Sequence, residues 1–266
     1  MIPIQYALRR RMMMAALGSG IDISALSITY TGAYTDYGMV TMSDGARYRL
    51  LAFTSSGTLS IEQPVNCEVC VVGGGANGTT PADYRSCAGG AGAYLKNQSV
   101  SAYNGGSVVV GAGQGVSSIA DVSVNAVSGK NGGTGAGGYT AGTGDGISKY
   151  PFEDTGYSLW SGKPHCAGGG QGAREYRTYG YNGGDGGTNG GNGYPQESKE
   201  VANASGGIGG SYGGGAGGGR DSGAGDGKNA TYYGSGAGGG ARYVSILYNG
   251  GSGYQGIVYM RIPVIQ

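Results

Sequence analysis

Residues 206–220 read GGIGGSYGGGAGGGR, and residues 234–242 read GSGAGGGAR. What such blocks do decides the fold. Glycine loses more backbone entropy on folding than any other residue, so ordered polyglycine needs a compensating interaction. Hydrophobic side chains cannot supply it inside these runs, whereas backbone hydrogen bonds can. A polyglycine II helix has three residues per turn and no internal hydrogen bonds, so each N–H and C=O points outward toward a neighbour. Only a residue without Cβ lets the backbones come close enough. The competing reading is a flexible glycine–serine linker. Against it, the blocks recur: CAGGAGAY (87–94), GGTGAGGYTAG (132–142), CAGGGQGA (166–173) and GGDGGTNGGNG (183–193) precede the two above. The repeat is irregular and lacks the Gly-X-Y period of collagen.

Glycine contributes 63 of 266 residues and proline 7, a share at which disorder is the default expectation. Three features oppose it. Charged residues make up only 12%, tyrosine is abundant at 22, and strand-type runs close both ends of the glycine-rich region. With a net charge of +1 and only Arg9, Arg10 and Arg11 clustered, nucleic acid is not an expected partner. No apolar run reaches the length of a transmembrane helix, so membrane insertion is not expected either. The apolar stretch after the arginines, Met12 to Leu17, is short for a signal-peptide core.

Along the chain, residues 4–17 read as a short helix with Ile4, Leu8 and Met12 on one stripe, stopped by Gly18 and Gly20. A lone helix of that length is marginal in water and must dock, on its own domain or on a neighbouring protein. MVTMSDGARYRLLAF (39–53) predicts a hairpin turning at Asp44-Gly45. TSSGTLSIEQP (54–64) adds a turn and a short strand that Pro64 punctuates, and CEVCVV (67–72) reads as a strand buried on both faces. SVVVGAG (107–113), SSIADVSVNAV (117–127), ARYVSILYNG (241–250) and GYQGIVYMRIP (253–263) supply further strands. The expected fold is mostly β with polyglycine II helices: strands flanking a polyglycine-helix sandwich, plus a short N-terminal helix. The expected organisation is a docking segment at 1–20, a small hairpin region at 21–64 and a glycine-rich domain at 65–266.

Catalytic patterns are missing from the sequence. No G-x-S-x-G, H-E-x-x-H or EF-hand occurs, and the G-x-G-x-x-G matches lie inside glycine blocks with no βαβ unit around them. Asp154, Glu175 and Asp185 lie in loop-like sequence with nothing to pair them as glycosidase carboxylates. Cys67 and Cys70 form a C-x-x-C, but positions three apart on a strand point to opposite faces, which makes metal ligation awkward. Cys87, Cys166 and the single histidine, His165, complete no metal pattern, so no enzyme activity, metal or cofactor is expected. What remains is a binding surface. The spacers between blocks are rich in Tyr, Ser, Asn and Gly, a paratope-like composition. YPFEDTGYSLWSGKPH (150–165) carries Tyr150, Tyr157 and Trp160, and REYRTYGY (174–181) carries Tyr176, Tyr179 and Tyr181. These six are the candidate ligand-binding residues, in loops 147–165 and 173–181, with 226–234 as a third loop. Trp160, with no periodic apolar pattern around it, is expected to be exposed. The opposing reading makes these aromatics the packing that the glycines lack.

FTSSGTLSI (53–61), VVGGG (71–75), GGAGAY (89–94), SVVVGAG (107–113) and GSGYQGIVYMRI (251–262) follow one another in the order seen in the glycine-rich domain of bacteriophage tail-fibre and receptor-binding proteins, which the chain resembles over roughly 53–262. IQYALRRRMMM (4–14) is similar to the leader of structural proteins in phages of Gram-positive gut bacteria. More distantly, the blocks resemble in kind the polyglycine-sandwich fibre-tip adhesins of T-even-type phages. The resemblance implies a virion protein, assembled in the host cytoplasm without a secretion signal. Its partners would be other tail, baseplate or head proteins and a host-surface glycan or protein. It implies a homo-oligomer, a trimer in preference to a monomer, with Ile4, Leu8, Arg9, Arg10, Arg11 and Met12 as the docking residues. A purely architectural virion protein and a secreted bacterial surface adhesin are the alternatives.

Overall fold

The computed structural model of the chain describes residues 22–80, 89, 90, 92–124, 150–170, 174–176, 179–181, 209, 213–216, 225–243 and 246–264. The helix expected at 4–17, the docking segment 1–20 and Cys87 lie outside these residues. Within them the protein is mostly β. In chain order the strands are β1 (Ile28–Tyr30), β2 (Tyr34–Thr41), β3 (Arg47–Phe53), β4 (Gly57–Val72), β5 (Leu95–Val109), β6 (Ser117–Ile119), β7 (Val122–Val124), β8 (Arg174–Tyr176), β9 (Tyr179–Tyr181), β10 (Arg242–Tyr243), β11 (Ile246–Leu247) and β12 (Ile257–Pro263). The main sheet runs β2-β3-β12-β4-β5-β6-β7, with β1 added on β4, and every pairing in it is antiparallel. A smaller sheet has the order β11-β10-β8-β9.

The hairpin expected at 39–53 forms as β2 and β3. Gly45 N–H donates to the Met42 carbonyl, Met42 N–H to the Ala46 carbonyl, and Gly45 takes φ +80°, a conformation that favours glycine. Pro64, expected to end a strand, does not: β4 runs from Gly57 to Val72. The physical reason is a pair of register shifts against β5, between Ser60 and Val65 and again between Val65 and Cys67. They leave Pro64 where no ladder needs its missing N–H. β4 thus runs through residues 64 and 65, where the boundary between the hairpin region and the glycine-rich domain is expected.

Strict alternation splits the three central strands between two cores. Leu51 and Phe53 of β3, Val65, Cys67, Val69 and Val71 of β4, and Val258, Met260 and Ile262 of β12 face one side. There β6 and β7 fold over them with Ile119, Val122 and Val124. Tyr48, Leu50, Ala52, Cys70, Val72, Ile257 and Tyr259 face the other side, under Phe152, Trp160 and Cys166. Residues 67–72 are thus buried on both faces, as their near-continuous apolar run requires.

Three sheet strands continue into the glycine blocks without a break. β4 leads into 73–79, 92–94 lead into β5, and 248–256 leads into β12. Gly73 N–H donates to the Tyr94 carbonyl and Gly75 N–H to the Tyr254 carbonyl, so neighbours in the sheet stay neighbours beyond it. Segment 234–241 lies at the centre of the resulting glycine array. Its donors bond Ala167 (from Gly236), Ala76 (from Ala237), Lys228 (from Gly238), Gly170 (from Gly239), Thr79 (from Gly240) and Gly225 (from Ala241). The same three neighbouring segments recur in the same order, once every three residues. Its carbonyls accept from the other three: Gly234 from Ala93, Ser235 from Tyr254, Gly236 from Gly215, Ala237 from Gly90 and Gly238 from Gly251. One segment is thus ringed by six. The ring closes through Gly169 to Gly90, Gly170 to Gly215, Lys228 to Ala216 and Gly227 to Asn249, together with the two bonds that extend the sheet. At the closest contacts, which fall on glycines, no side chain fits between these backbones. A Cβ on Gly169 would sit 1.8 Å from the Ala237 carbonyl oxygen, and one on Gly215 would sit 2.0 Å from that of Lys228 and 2.6 Å from the Gly238 nitrogen.

Gly215→Ala is therefore expected to act as severe overpacking, costing about 3 kcal/mol and lowering Tm by roughly 6–12 °C for a chain of this size. Ser158→Ala, at an exposed spacer position, is expected to leave Tm within about two degrees. Calorimetry of the two variants checks this, and equal shifts would show that the glycine segments do not carry the fold.

Candidate functional site

Segment 150–166 covers the second face of the sheet, and its course is set by one carboxylate. Asp154 accepts the N–H groups of Gly156 and Tyr157 through Oδ1 (both 3.1 Å) and that of Ser43 through Oδ2 (3.0 Å). Burial raises its pKa, but the bonds from Ser43, Gly156 and Tyr157 outweigh that and hold it below the usual carboxylate value. Phe152, at φ +56°, donates its N–H to Asn97 Oδ1 at 3.0 Å. On its other side, Arg261 stacks between the Phe152 and Tyr48 rings, 4.3 Å and 4.4 Å from their centroids, and pairs with Glu68 Oε2 at 2.5 Å.

Trp160 is fully buried, which corrects the expectation of an exposed, ligand-contacting ring. Its indole N–H donates to the Asp154 carbonyl, and its ring meets Tyr157 edge-on at 4.8 Å and Tyr259 at 5.4 Å. The sequence misleads because Trp160 sits in irregular chain whose anchors are spaced by turns rather than by a helix or strand period. A missing apolar pattern around a residue does not imply exposure when the partners come from a sheet beneath it. Tyr150 and Tyr157 are half-buried against the same core. Tyr176, Tyr179 and Tyr181 lie on β8 and β9, and their side chains lie outside what is described. Ile4, Leu8, Arg9, Arg10, Arg11 and Met12 lie outside the described residues.

His165 is buried with Nε2 3.1 Å from the Tyr259 hydroxyl, among the rings of Tyr232, Tyr233 and Tyr259. Burial pushes its pKa down to about 3, so the imidazole is neutral in the folded protein. Cys67 and Cys70 sit in the cores on opposite faces of the sheet, as strand periodicity requires. Both are free and buried, and burial pushes the Cys67 thiol up to about 12 and the Cys70 thiol higher still. Among the described residues, no group of three or more His, Cys, Asp or Glu side chains could hold a metal ion.

Instead, the fold assembles tyrosines at the surface beside segment 150–166. Tyr37 sits in a bulge of β2, where Asp36 pairs with Leu51 and Met39 with Arg49, so that Tyr37 and Gly38 together oppose Leu50. Gly38 takes φ +65° and donates its N–H to Asp36 Oδ1 at 2.8 Å, while Arg49 grips Asp36 Oδ2 at 2.6 Å and the Leu26 carbonyl at 2.5 Å. Beside that clamp, Tyr37 is 40% exposed. Its phenol raises the pKa values of Tyr157, Tyr233 and Tyr259 electrostatically, after the larger effect of burial. Tyr254, 36% exposed, meets Tyr233 edge-on at 5.6 Å. Tyr37, Tyr233 and Tyr254 are not among the candidate residues that the sequence suggests. One signal for the first of them is present there: a glycine interrupting a strand pattern, Tyr37-Gly38, is a mark of a bulge.

Neither a family model nor a curated protein matches the chain.

Two outcomes test this part of the structure. Trp160→Ala is expected to cost about 3–5 kcal/mol in denaturant unfolding, whereas a loss near zero would return the ring to the surface. For His165, the unfolded chain takes up a proton near pH 6.5 and the folded chain only near pH 3. The native state thus loses stability as pH falls below 6.5, by about 1.4 kcal/mol per unit. His165→Phe is expected to flatten the decline of Tm between roughly pH 6.5 and 4.5. Parallel pH profiles for the variant and the parent would refute that assignment.

Proposed function

We propose that the chain is a bacteriophage virion structural protein, a tail-fibre or tail-tip receptor-binding protein whose role is attachment and not catalysis. In this reading the glycine blocks are polyglycine II helices, and the spacers between them are display loops. One observation carries it. The backbone of 234–241 exchanges hydrogen bonds with six surrounding segments, and its donors return to the same three segments every third residue. That alternation is what a helix of three residues per turn, bonded only to its neighbours, requires. An array of this kind has no side-chain core to be disrupted by changes in the loops. The loops that join its segments are then free to carry receptor contacts while the mount stays rigid. The order of FTSSGTLSI, VVGGG, GGAGAY, SVVVGAG and GSGYQGIVYMRI, which resembles phage fibre proteins, points the same way.

The proposal includes assembly as a trimer, joined to other virion proteins through residues 1–20, and a host-surface glycan or protein as ligand. The burial of Trp160 favours a second reading, a purely architectural virion protein, because it turns the most prominent aromatic of the spacers into packing. An antibody raised against the chain separates the two. Labelling at the free end of a fibre or tail, together with blocked adsorption, is the expected result. Labelling only within the head or among baseplate subunits would select the architectural role, and absence from virions would end both.

A further inference from the structure

The tyrosines gathered beside segment 150–166 come from three distant parts of the chain. Tyr37 lies in the β2 bulge, Tyr157 follows the Asp154 turn, and Tyr233 and Tyr254 flank the two ends of glycine segments that pair through Tyr254 and Ser235. We propose that Tyr37, Tyr157, Tyr233 and Tyr254 form a binding site for an uncharged saccharide. The inference rests on the attachment reading above for its biological setting, but on the geometry of these four side chains for its chemistry.

The first argument is preorganisation. Each ring stands on something fixed. Tyr37 is held by the Asp36–Arg49 clamp, and Tyr157 leans edge-on against buried Trp160 at 4.8 Å. Tyr233 lies between His165 (6.2 Å, stacked) and Tyr254 (5.6 Å). Rigid aromatics offer large contact area at small entropic cost. The second argument is unfilled bonding capacity. None of the four hydroxyls has a hydrogen-bond partner among the described residues, while the Tyr37 phenol acts on Tyr157 and Tyr233, and Tyr254 on Tyr233 at a ring separation of 5.6 Å. The third is charge. Burial raises the pKa values of Tyr157 and Tyr233, so both stay neutral phenols that donate as well as accept. Asp154 acts on Tyr157, and its oxygens already serve the N–H groups of Ser43, Gly156 and Tyr157. Among the described residues no cation–ring contact or ion pair involves these four side chains, so none is placed to meet a phosphate or uronate. A pyranose ring answers all three conditions. Its C–H face stacks on the negative face of an aromatic ring, and its hydroxyls pair with phenols in both directions.

The full-length chain is run by affinity electrophoresis through gels containing dextran, galactan or mannan as neutral probes and polygalacturonate as an acidic one. At least one neutral polysaccharide is expected to retard it. Tyr37→Ala and Tyr254→Ala are each expected to weaken that retardation about tenfold or more, as loss of a central contact does. Tyr37→Phe, which keeps the ring and removes the hydroxyl, is expected to fall between. Tyr34→Ala is the control, because Tyr34 is equally exposed on β2 but stacks on Phe53 on the other face of the sheet. No retardation by any neutral polysaccharide, retardation by polygalacturonate alone, or undiminished retardation of folded Tyr37→Ala and Tyr254→Ala would each overturn the proposal. The two readings fail separately. If Tyr37→Ala weakens binding of the chain to host cells while no neutral polysaccharide binds, the saccharide is wrong and attachment stands. If the saccharide site holds but the antibody finds no chain on virions, the site stands and the virion role falls.

Discussion

Backbone-to-backbone hydrogen bonding around segment 234–241 is the constraint on which the rest of this structure depends. A glycine gives up more entropy on ordering than an alanine would, by roughly 0.5–1 kcal/mol, and no side-chain burial offsets it. A backbone hydrogen bond contributes about 1 kcal/mol net, and a buried group left without one costs more. With six partners around one segment, both groups of most central residues are satisfied, and the balance tips toward order. The same arithmetic forbids a Cβ at the contacts, since the shortest approaches leave no room for one.

The main sheet makes the array possible. β12, β4 and β5 lie side by side, and their continuations through 248–256, 73–79 and 92–94, with Gly90, occupy three consecutive places in the ring around 234–241. A sheet with apolar cores on both faces fixes those three chains in direction and spacing before any glycine is engaged. Bonding then changes from two opposed neighbours per strand to several around each segment. The remaining places in the ring are filled by 166–170, 213–216 and 225–230, which come from well separated parts of the sequence.

Segment 150–166 joins the two systems. Trp160 and Phe152 seal the second face of the sheet, and Cys166 begins the next glycine segment. Asp154 and the Glu68–Arg261 pair hold that cover in place with charge-assisted bonds. The tyrosines at its edge inherit their rigidity from this packing. Burial of Trp160 and exposure of Tyr37 are thus two results of one arrangement: the large apolar ring fills the gap over the sheet, and phenols, which tolerate water at one end, border it.

Several features were legible in the sequence because they depend on neighbours along the chain. Alternation marked the strand at 47–53, a near-continuous apolar run marked that at 67–72, Asp44-Gly45 marked the hairpin, and period two placed Cys67 and Cys70 on opposite faces. Glycine repetition pointed to segments that need backbone partners, since no other interaction is open to them. Tertiary structure alone decided which segments meet. Glycine-rich blocks carry no address, so the centre of the ring is chosen by strand order and not by any local pattern. Pro64 continues a strand because β5 shifts register beside it, and Trp160 is core because Phe152, Tyr157 and Tyr259 close around it. Tyr37, Tyr157, Tyr233 and Tyr254 become one surface for the same reason: proximity in a sheet-borne array depends on which backbones pair, and backbone groups are alike at every glycine.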